Sequence, residues 1–238
     1  MNRSSVQFRP AAPFFLALIL FPDPFFLMPD LRFELAAQAL GHQVICGIDE
    51  AGRGPLAGPV SVAAVVLPAD FSLEGLNDSK KLSEKKREQL YHALLANPQV
   101  LWAHVFADAA EVDAKNILRA THDSMAAAAL ALQKKYRIAI DHCLIDGLPL
   151  KQFPLSHQGI VKGDSHSLSI AAASIIAKVS RDHVMKQYAQ EFPEYGFEKH
   201  MGYGTKSHLA ALHAHGPCRI HRRSFQPVSQ LTLPLDAS

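Results

Sequence analysis

Residues 47–58 read GIDEAGRGPLAG, with the apolar stretch QVIC before them and PVSVAAVVLP after them. The β-branched and apolar residues on both sides predict strands, and the glycines between them predict a turn. Two acids, Asp49 and Glu50, stand at the end of the first strand, and the turn that follows carries Arg53. Adjacent carboxylates repel each other, so a strand that ends in two of them needs a compensating partner.

The bulk composition is that of one globular domain. The chain has 238 residues, is 48% hydrophobic and 19% charged, and has a formal net charge of +2, an excess of positive charge too small to indicate a nucleic-acid partner by itself. Cys46, Cys143 and Cys218 are far apart and lack CxxC spacing, which argues against a disulfide framework and a zinc ribbon. We therefore expect Cys46 and Cys143 to be buried, reduced thiols in a cytoplasmic protein.

The N-terminal region has a different character from the rest. Its apolar run, AAPFFLALILFPDPFFLM, contains a Pro-Asp-Pro, and its uninterrupted part is too short to span a bilayer. We interpret residues 1–42 as an extension that is disordered or lies upstream of a true start at Met28. The alternative is a targeting segment, and N-terminal mass determination on the native protein would distinguish the two. We place the folded domain at residues 43–225 and a tail at 226–238, and expect no membrane partner.

Strand and helix patterns alternate along the chain. Strands are predicted over 44–49, 60–67 and 100–106, and over the short segments CLIDG (143–147) and GIVKGD (159–164). Helices are predicted over 83–97, over 108–135 as one continuous helix, over 165–192 and over 205–216. Ser83 and Thr205 are predicted to be the N-caps of the first and last of these helices. Three strands followed by helices that alternate with two shorter strands favour an α/β fold with a mixed sheet.

Three of the predicted strands end in acids, in the segments GIDE, LIDG and KGD. Each acid alone has an ordinary explanation, since Asp146 precedes Gly147 in a turn and Asp164 precedes a helix that it could cap. If the three segments are neighbours, however, four carboxylates converge and must either become protonated or bind divalent cations. Oxygen ligands favour magnesium or manganese, and two such ions about 3.5–4 Å apart can flank a phosphodiester.

The turn after the first acids lacks the pattern of a known phosphate loop. Its spacing is GxGxxxG with a proline inside, which is neither the dinucleotide fingerprint nor a GK[ST] loop. Gly52 and Gly54 allow close approach of the main chain to a ligand, and the guanidinium of Arg53 suits phosphate. Because glycine-rich turns are common without function, this signal is weak alone.

Histidines and arginines near the C-terminus receive a simple interpretation. His208, His213 and His215 lack an HExxH pattern and a cysteine partner, so we expect solvated or capping side chains. The run RIHRR at 219–223 is interpreted as a solvated basic face, with contact to DNA as the alternative.

Several motifs together resemble bacterial ribonuclease HII. They are GIDEAGRGPLAGPVSVAAVVL, NDSKKLSEKKRE, NILRATHDSM, LIDG, VKGDSHSLSIAAASIIAKVSRD and GYGTKSH, in this order, and they extend from about Val44 to Phe225. The resemblance implies a ribonuclease H-like catalytic domain over 43–225, with a mixed five-stranded sheet flanked by helices and a C-terminal helical segment. It also implies hydrolysis of the RNA strand of RNA–DNA hybrids and incision 5′ to ribonucleotides embedded in duplex DNA.

The resemblance also assigns residues. The four acids of the family, which hold two Mg²⁺ or Mn²⁺ ions, correspond to Asp49, Glu50, Asp146 and Asp164. The implied substrate-binding residues are Gly52, Arg53 and Gly54 on the 2′-hydroxyl side, Tyr203 on the sugar, Lys80 on a phosphate, and Ser174 and Lys178 on one helix. For Lys178 an ion pair with Asp182 within the helix is the alternative.

The implied partners are RNA–DNA hybrid and duplex DNA that contains ribonucleotides. The resemblance therefore implies a role in DNA replication and ribonucleotide excision repair. We expect a cytoplasmic monomer that leaves a 3′-hydroxyl and a 5′-phosphate. The alternatives are a hybrid-binding protein without catalysis and another ribonuclease H-fold nuclease, such as a junction resolvase.

Overall fold

Five strands form one mixed sheet in the computed structural model, which describes residues 28–231. The strands are β1 (Ile45–Ala51), β2 (Val60–Val66), β3 (Leu101–Ala107), β4 (His142–Asp146) and β5 (His157–Ile160). They lie in the order β3-β2-β1-β4-β5. The pairs β1–β2 and β2–β3 are antiparallel, whereas β1–β4 and β4–β5 are parallel. The predicted mixed five-stranded sheet is confirmed.

Helices cover both faces of the sheet and form a C-terminal segment beside it. They are α1 (Arg32–Ala39), α2 (Glu84–Ala96), α3 (Ala109–Lys115), α4 (Ile117–Tyr136), α5 (Leu168–Glu191), α6 (Phe197–His200), α7 (Lys206–His215) and α8 (Val228–Leu231). Two predicted N-caps are confirmed, since the hydroxyl of Ser83 accepts a hydrogen bond from Lys86 N and that of Thr205 accepts one from His208 N.

The central strands are apolar on both faces because helices cover both sides. Val62 and Ala64 of β2 belong to a core cluster on the side of α4, and Ala63 and Val65 belong to a second cluster on the side of α5 and α2. Cys46 and Cys143 lie fully buried as free thiols, as predicted.

Helix α5 approaches β1 more closely than side chains of ordinary size would allow. A Cβ atom on Gly47 would lie 2.2 Å from the carbonyl carbon of Ser169 and 2.5 Å from Ile170 N. The facing part of α5 is rich in buried alanine at 171–173. This close packing of small residues places one face of α5 beside the end of β1.

The single helix predicted over 108–135 is wrong, because the chain breaks at Asn116. That residue has φ of 67°, and its side-chain oxygen accepts a hydrogen bond from Arg119 N. Asparagine adopts a positive φ more readily than most residues and caps helices, so α3 ends and α4 begins there.

The strand predicted over 159–164 ends earlier than expected. β5 stops at Ile160, and Lys162 has a left-handed conformation with φ of 56°. Asp164 therefore lies in a 3₁₀ turn, Gly163–Ser165, and not at a strand end. Asp164 is not the N-cap of α5, because Ser167 occupies that position.

Residues on both sides of the predicted domain boundaries pack against the domain. In α1 the Glu34 carboxylate accepts hydrogen bonds of 2.6 Å from the hydroxyls of Ser167 and Ser169, so the folded unit begins before residue 42. Val228 of α8 is buried in a cluster with Leu56. The predictions for residues 1–27 and for 232–238 lie outside the described residues. Within 28–231, no helix is both long and apolar enough to cross a membrane.

We expect Gly47→Ala to destabilise the protein by about 1–3 kcal/mol, because the added methyl group overpacks the contact between β1 and α5. Urea unfolding would measure the change. Gly54→Ala is the matched control, since its Cβ would meet only the Tyr203 ring at 3.7 Å, an ordinary contact. Equal stability of the two variants would contradict this account of the packing.

Candidate active site

Acidic side chains from three segments meet at the edge where the parallel strands β1 and β4 end. One carboxylate oxygen from each of Asp49, Asp146 and Asp164 lies within 4.8 Å of the other two. The amide of Gly163 donates a 2.7 Å hydrogen bond to Asp146 Oδ1, which holds the turn that carries Asp164 against the end of β4. The fold thus brings together three of the four predicted acids from distant parts of the chain.

Glu50, the fourth predicted acid, has its two carboxylate oxygens in different environments. Oε1 accepts a 3.2 Å hydrogen bond from Arg53 Nη1. Oε2 is buried and has no hydrogen-bond partner in the described part of the chain. A buried carboxylate oxygen without a donor is costly, so this atom is available as a ligand for a cation.

Burial and mutual repulsion disfavour the ionised form of these acids. The pKa of Asp49 is raised well above its usual value, first by burial and then by the charges of Glu50, Asp146 and Asp164. Burial also raises the pKa of Glu50, although Arg53 opposes the shift. The pKa of Asp164 is raised by burial and by Asp146. A group of carboxylates in this state binds cations to relieve its own repulsion.

The donor atoms fit a hard divalent cation. Every candidate ligand is a carboxylate oxygen, which Mg²⁺ and Mn²⁺ prefer over the nitrogen and sulfur ligands typical of zinc. The unpartnered Glu50 Oε2 is a further oxygen that a cation would satisfy.

The turn after β1 is shaped by contacts beneath it. Gly52 has φ of +93°, and a Cβ atom there would lie 2.0 Å from Arg181 Nε, so no other residue fits. Gly54 lies beside the ring of Tyr203, a residue that is 46% exposed. The turn and Tyr203 therefore form adjacent parts of one accessible surface.

All seven predicted substrate-binding residues line one cavity of about 210 Å³. They are Gly52, Arg53, Gly54, Lys80, Ser174, Lys178 and Tyr203. Glu50 lines the same cavity, so the cavity lies directly beside the acidic residues. A larger cavity of about 770 Å³ adjoins on the other side, lined by Glu50, Arg53 and Asp146 among others. Glu50 thus lies between two open spaces, and Asp146 borders the larger one.

Three of these residues also make contacts within the protein. Lys80 Nζ is 3.5 Å from Asp164 Oδ2. The buried Ser174 hydroxyl donates a 2.9 Å hydrogen bond to Ser79, which tethers the turn that carries Lys80 to α5. Lys178 Nζ is 2.7 Å from Asp182 Oδ1, so the intrahelical ion pair considered from the sequence is present.

A family model, Ribonuclease HII, matches residues 46–228. The chain belongs to the ribonuclease HII family. It is therefore a metal-dependent endonuclease of the ribonuclease H type.

Relatives and a solved structure support the assignment. The chain is 52% identical over 202 residues to a ribonuclease HII of Geobacillus sp., covering 84% of this chain and 70% of the relative. It is 51% identical over 206 residues to that of Magnetococcus marinus, covering 85% and 95%. Bst-RNase HIII, solved in complex with Mn²⁺, has the same fold with a TM-score of 0.64 and 19% identity, covering 83% of this chain and 71% of that one.

The basic run at 219–223 is only in part the solvated face predicted from the sequence, since Arg219 and Arg223 are exposed but Arg222 is buried. Arg222 is 0% exposed, and its guanidinium contacts main-chain carbonyls under the turn after β1. Arg219 is exposed and pairs with Glu191. The apolar neighbours Ile220 and Phe225 were the available signal that part of this run faces inward.

The prediction of a solvated or capping His208 is also wrong, because it lies fully buried in a chain of hydrogen bonds. Its Nδ1 is 2.9 Å from Tyr203 O, which can only accept, so Nδ1 carries the proton. Its Nε2 then accepts from His221 Nε2 at 3.0 Å, and His221 Nδ1 accepts from Cys218 N. The two neutral histidines thus support the main chain at Tyr203. His213 and His215 are exposed.

We expect Mg²⁺ or Mn²⁺ to raise the melting temperature of the wild type but not that of Asp49→Asn. Because the pKa of Asp49 is raised in the folded state, the stability of the folded protein falls as pH rises above the pKa of the unfolded state. The metal-free carboxylates therefore destabilise the fold by mutual repulsion at neutral pH. Asp49→Asn relieves it and should raise the metal-free melting temperature by about 2–4 °C, equivalent to about 1 kcal/mol. Differential scanning calorimetry would measure both effects. Asp70→Asn, an exposed control, should behave as wild type; an equal metal response in both variants would reject the site.

The buried histidines predict a loss of stability in mild acid. Burial, and then the neighbouring His208, lowers the pKa of His221 from 6.5 to about 4, and burial lowers the pKa of His208. Because the folded state requires the neutral form, this stability is present above pH 6.5 and is lost as pH falls towards about 4.

Urea unfolding between pH 7 and 5 would test this. His221→Gln should show a shallower dependence of unfolding free energy on pH than the wild type, whereas the exposed His213→Gln should show the wild-type slope. Parallel curves for wild type and His221→Gln would contradict the assignment.

Proposed function

We propose that this protein hydrolyses the RNA strand of RNA–DNA hybrids and incises duplex DNA 5′ to an embedded ribonucleotide. The observation that carries the proposal is the cluster of Asp49, Asp146 and Asp164 oxygens within 4.8 Å of one another, beside a cavity with all seven residues predicted to bind substrate. The products would be a 3′-hydroxyl and a 5′-phosphate, and the enzyme would act as a cytoplasmic monomer in replication and ribonucleotide excision repair.

The acids Asp49, Glu50, Asp146 and Asp164 would hold two Mg²⁺ or Mn²⁺ ions. Bound there, the ions would activate water and stabilise the leaving oxygen of an in-line displacement. The Mn²⁺ complex of Bst-RNase HIII, a protein of the same fold, supports this choice of metals. Asp49 is the most buried of the four acids and interacts electrostatically with the other three, so we assign it as the ligand common to both ions.

The residues around the acids position the substrate. The main chain at Gly52 and Gly54 carries no side chain and can approach a 2′-hydroxyl, the group that distinguishes RNA from DNA. The exposed ring of Tyr203 offers a surface for the adjoining sugar. Lys80, with a side chain that is 80% exposed beside Asp164, and the guanidinium of Arg53 would bind phosphates next to the scissile bond.

The two cavities on either side of the acids support a strand path across the site. Glu50 and Arg53 line both cavities and Asp146 lines the larger one, so a strand that passes from one cavity to the other would pass the carboxylates of Glu50 and Asp146. Such a path places the scissile phosphate against the carboxylates and the flanking nucleotides in open space.

Cleavage of a DNA duplex with one ribonucleotide, mapped to the nucleotide, tests the proposal. We expect one metal-dependent cut on the 5′ side of the ribonucleotide. Asp49→Asn should lower kcat by about 10³-fold or more, because several kcal/mol of transition-state stabilisation is lost, while leaving substrate binding largely intact. Binding without cleavage by the wild type in Mg²⁺ and Mn²⁺ would indicate a hybrid-binding protein, and preference for a four-way junction would indicate a resolvase. Near-normal turnover by Asp49→Asn would reject the metal mechanism.

A further inference from the structure

Two arginine side chains lie wholly buried beneath the loops that carry the turn after β1 and Tyr203. Arg181 of α5 is 1% exposed and Arg222 is 0% exposed. Within residues 28–231 neither guanidinium forms an ion pair with a carboxylate at salt-bridge distance. Their side-chain hydrogen bonds go to main-chain carbonyls of the two loops.

Arg222 holds both ends of the turn after β1. Its Nη2 donates to Gly52 O at 2.6 Å and its Nη1 donates to Arg53 O at 2.9 Å. Its Nε and Nη2 donate to Gly58 O at 3.1 and 2.9 Å. One planar side chain thus fixes three carbonyls across the turn.

Arg181 joins the far end of this turn to the loop before Tyr203. Its Nε donates to Pro59 O at 2.9 Å and its Nη2 donates to Ala57 O at 3.1 Å. Its Nη1 donates to Met201 O at 3.0 Å, two residues before Tyr203. The spacing between the two loops therefore depends on the dimensions of one guanidinium.

The loops also meet directly, without side chains between them. Leu56 N donates to Gly202 O at 2.9 Å. Gly202 has φ of +81°, and a Cβ atom there would lie 2.4 Å from Ala57 O. Small shifts of either arginine would therefore move both loops together.

Burial of a charged guanidinium costs more desolvation free energy than burial of an apolar side chain. Burial lowers the pKa of Arg222 to about 9 and that of Arg181 to about 10, so both remain charged at neutral pH. Apolar side chains of similar volume often serve a fold equally well or better. A planar fork with five donors has the different property of fixing several carbonyls at set distances and angles, which a lysine cannot reproduce.

We propose that Arg181 and Arg222 are positioning residues that set the spacing between the Gly52–Gly54 main chain and Tyr203, and thereby set how strictly the site recognises a 2′-hydroxyl. The inference rests on the proposed function. The two arginines act through the loops and not on the acids, since their side-chain hydrogen bonds all end on loop carbonyls. Misplacement of a recognition group by about 1 Å can cost roughly 100-fold.

The test uses Arg222→Lys and Arg181→Lys in the full-length, metal-loaded enzyme. Arg223→Lys is the matched control, because its side chain is exposed and its bond to Asp113 comes from the main-chain amide. Steady-state kcat and KM are measured on two DNA duplexes that differ at one nucleotide, which carries a 2′-hydroxyl or a 2′-fluorine. The discrimination is the ratio of the two kcat/KM values.

We expect both lysine variants to lose roughly tenfold or more of the wild-type discrimination, and Arg223→Lys to keep it. Amide hydrogen exchange should become faster at 52–58 and 200–204 but not in the core strands. A purely structural role lowers the active fraction, which reduces both kcat values equally and leaves the ratio unchanged.

Four outcomes are separated by this design. An unchanged ratio, within about twofold, in folded lysine variants overturns the positioning role. Failure of both variants to fold under conditions where the wild type is folded, seen by circular dichroism, also overturns it, because the arginines would then be needed for the fold itself. Absence of cleavage by the wild type rejects the proposed function instead. Unchanged amide hydrogen exchange at 52–58 and 200–204 in the lysine variants would reject the positioning role independently of any cleavage data.

Discussion

The repulsion among carboxylates at one edge of the sheet is the constraint on which the site depends. Parallel pairing of β1 and β4 places Asp49 and Asp146 at neighbouring strand ends, and the hydrogen bond from Gly163 to Asp146 adds Asp164. The folding energy of the core has to hold these charges together, because burial and proximity both favour their protonation. The repulsion lowers the stability of the metal-free fold, and its relief by a bound cation gives this edge of the sheet its affinity for hard cations.

Close packing elsewhere makes this arrangement possible. The absence of a side chain at Gly47 lets α5 lie against β1, and the same helix then presents Ser174 and Lys178 to the cavity beside the acids. Ser174 further ties the turn with Lys80 to the helix through Ser79. Ile170, which packs against Gly47, and the cavity residues Ser174 and Lys178 are four residues apart and so lie along one side of this helix. The position of the substrate residues therefore follows from the packing of the sheet.

The loops that would read the substrate rest on polar side chains as well as on apolar ones. Arg222 and Arg181 bind carbonyls of the turn after β1, and the pair His208–His221 supports the carbonyl of Tyr203. Main-chain carbonyls buried without partners would be costly, so these side chains also satisfy the loops. The same hydrogen bonds give the loops a defined geometry, which apolar contacts would not specify.

Local sequence determined much of this protein. Alternating apolar patterns, caps such as Ser83, and the ordered motifs around Asp49 predicted the sheet, most helices and the family, because each depends on neighbours in the chain. Sequence alone missed the break at Asn116, where one residue's backbone conformation outweighed a helical pattern.

Only the tertiary structure decided which charged and polar side chains face inward. Arg222 bonds to a carbonyl 170 residues away in the chain, at Gly52, and Glu34 bonds to Ser167 and Ser169 more than 130 residues away. A basic run looks the same in sequence whether it meets water or buried carbonyls. Its environment is set by the partners that the fold supplies, and no local pattern encodes them.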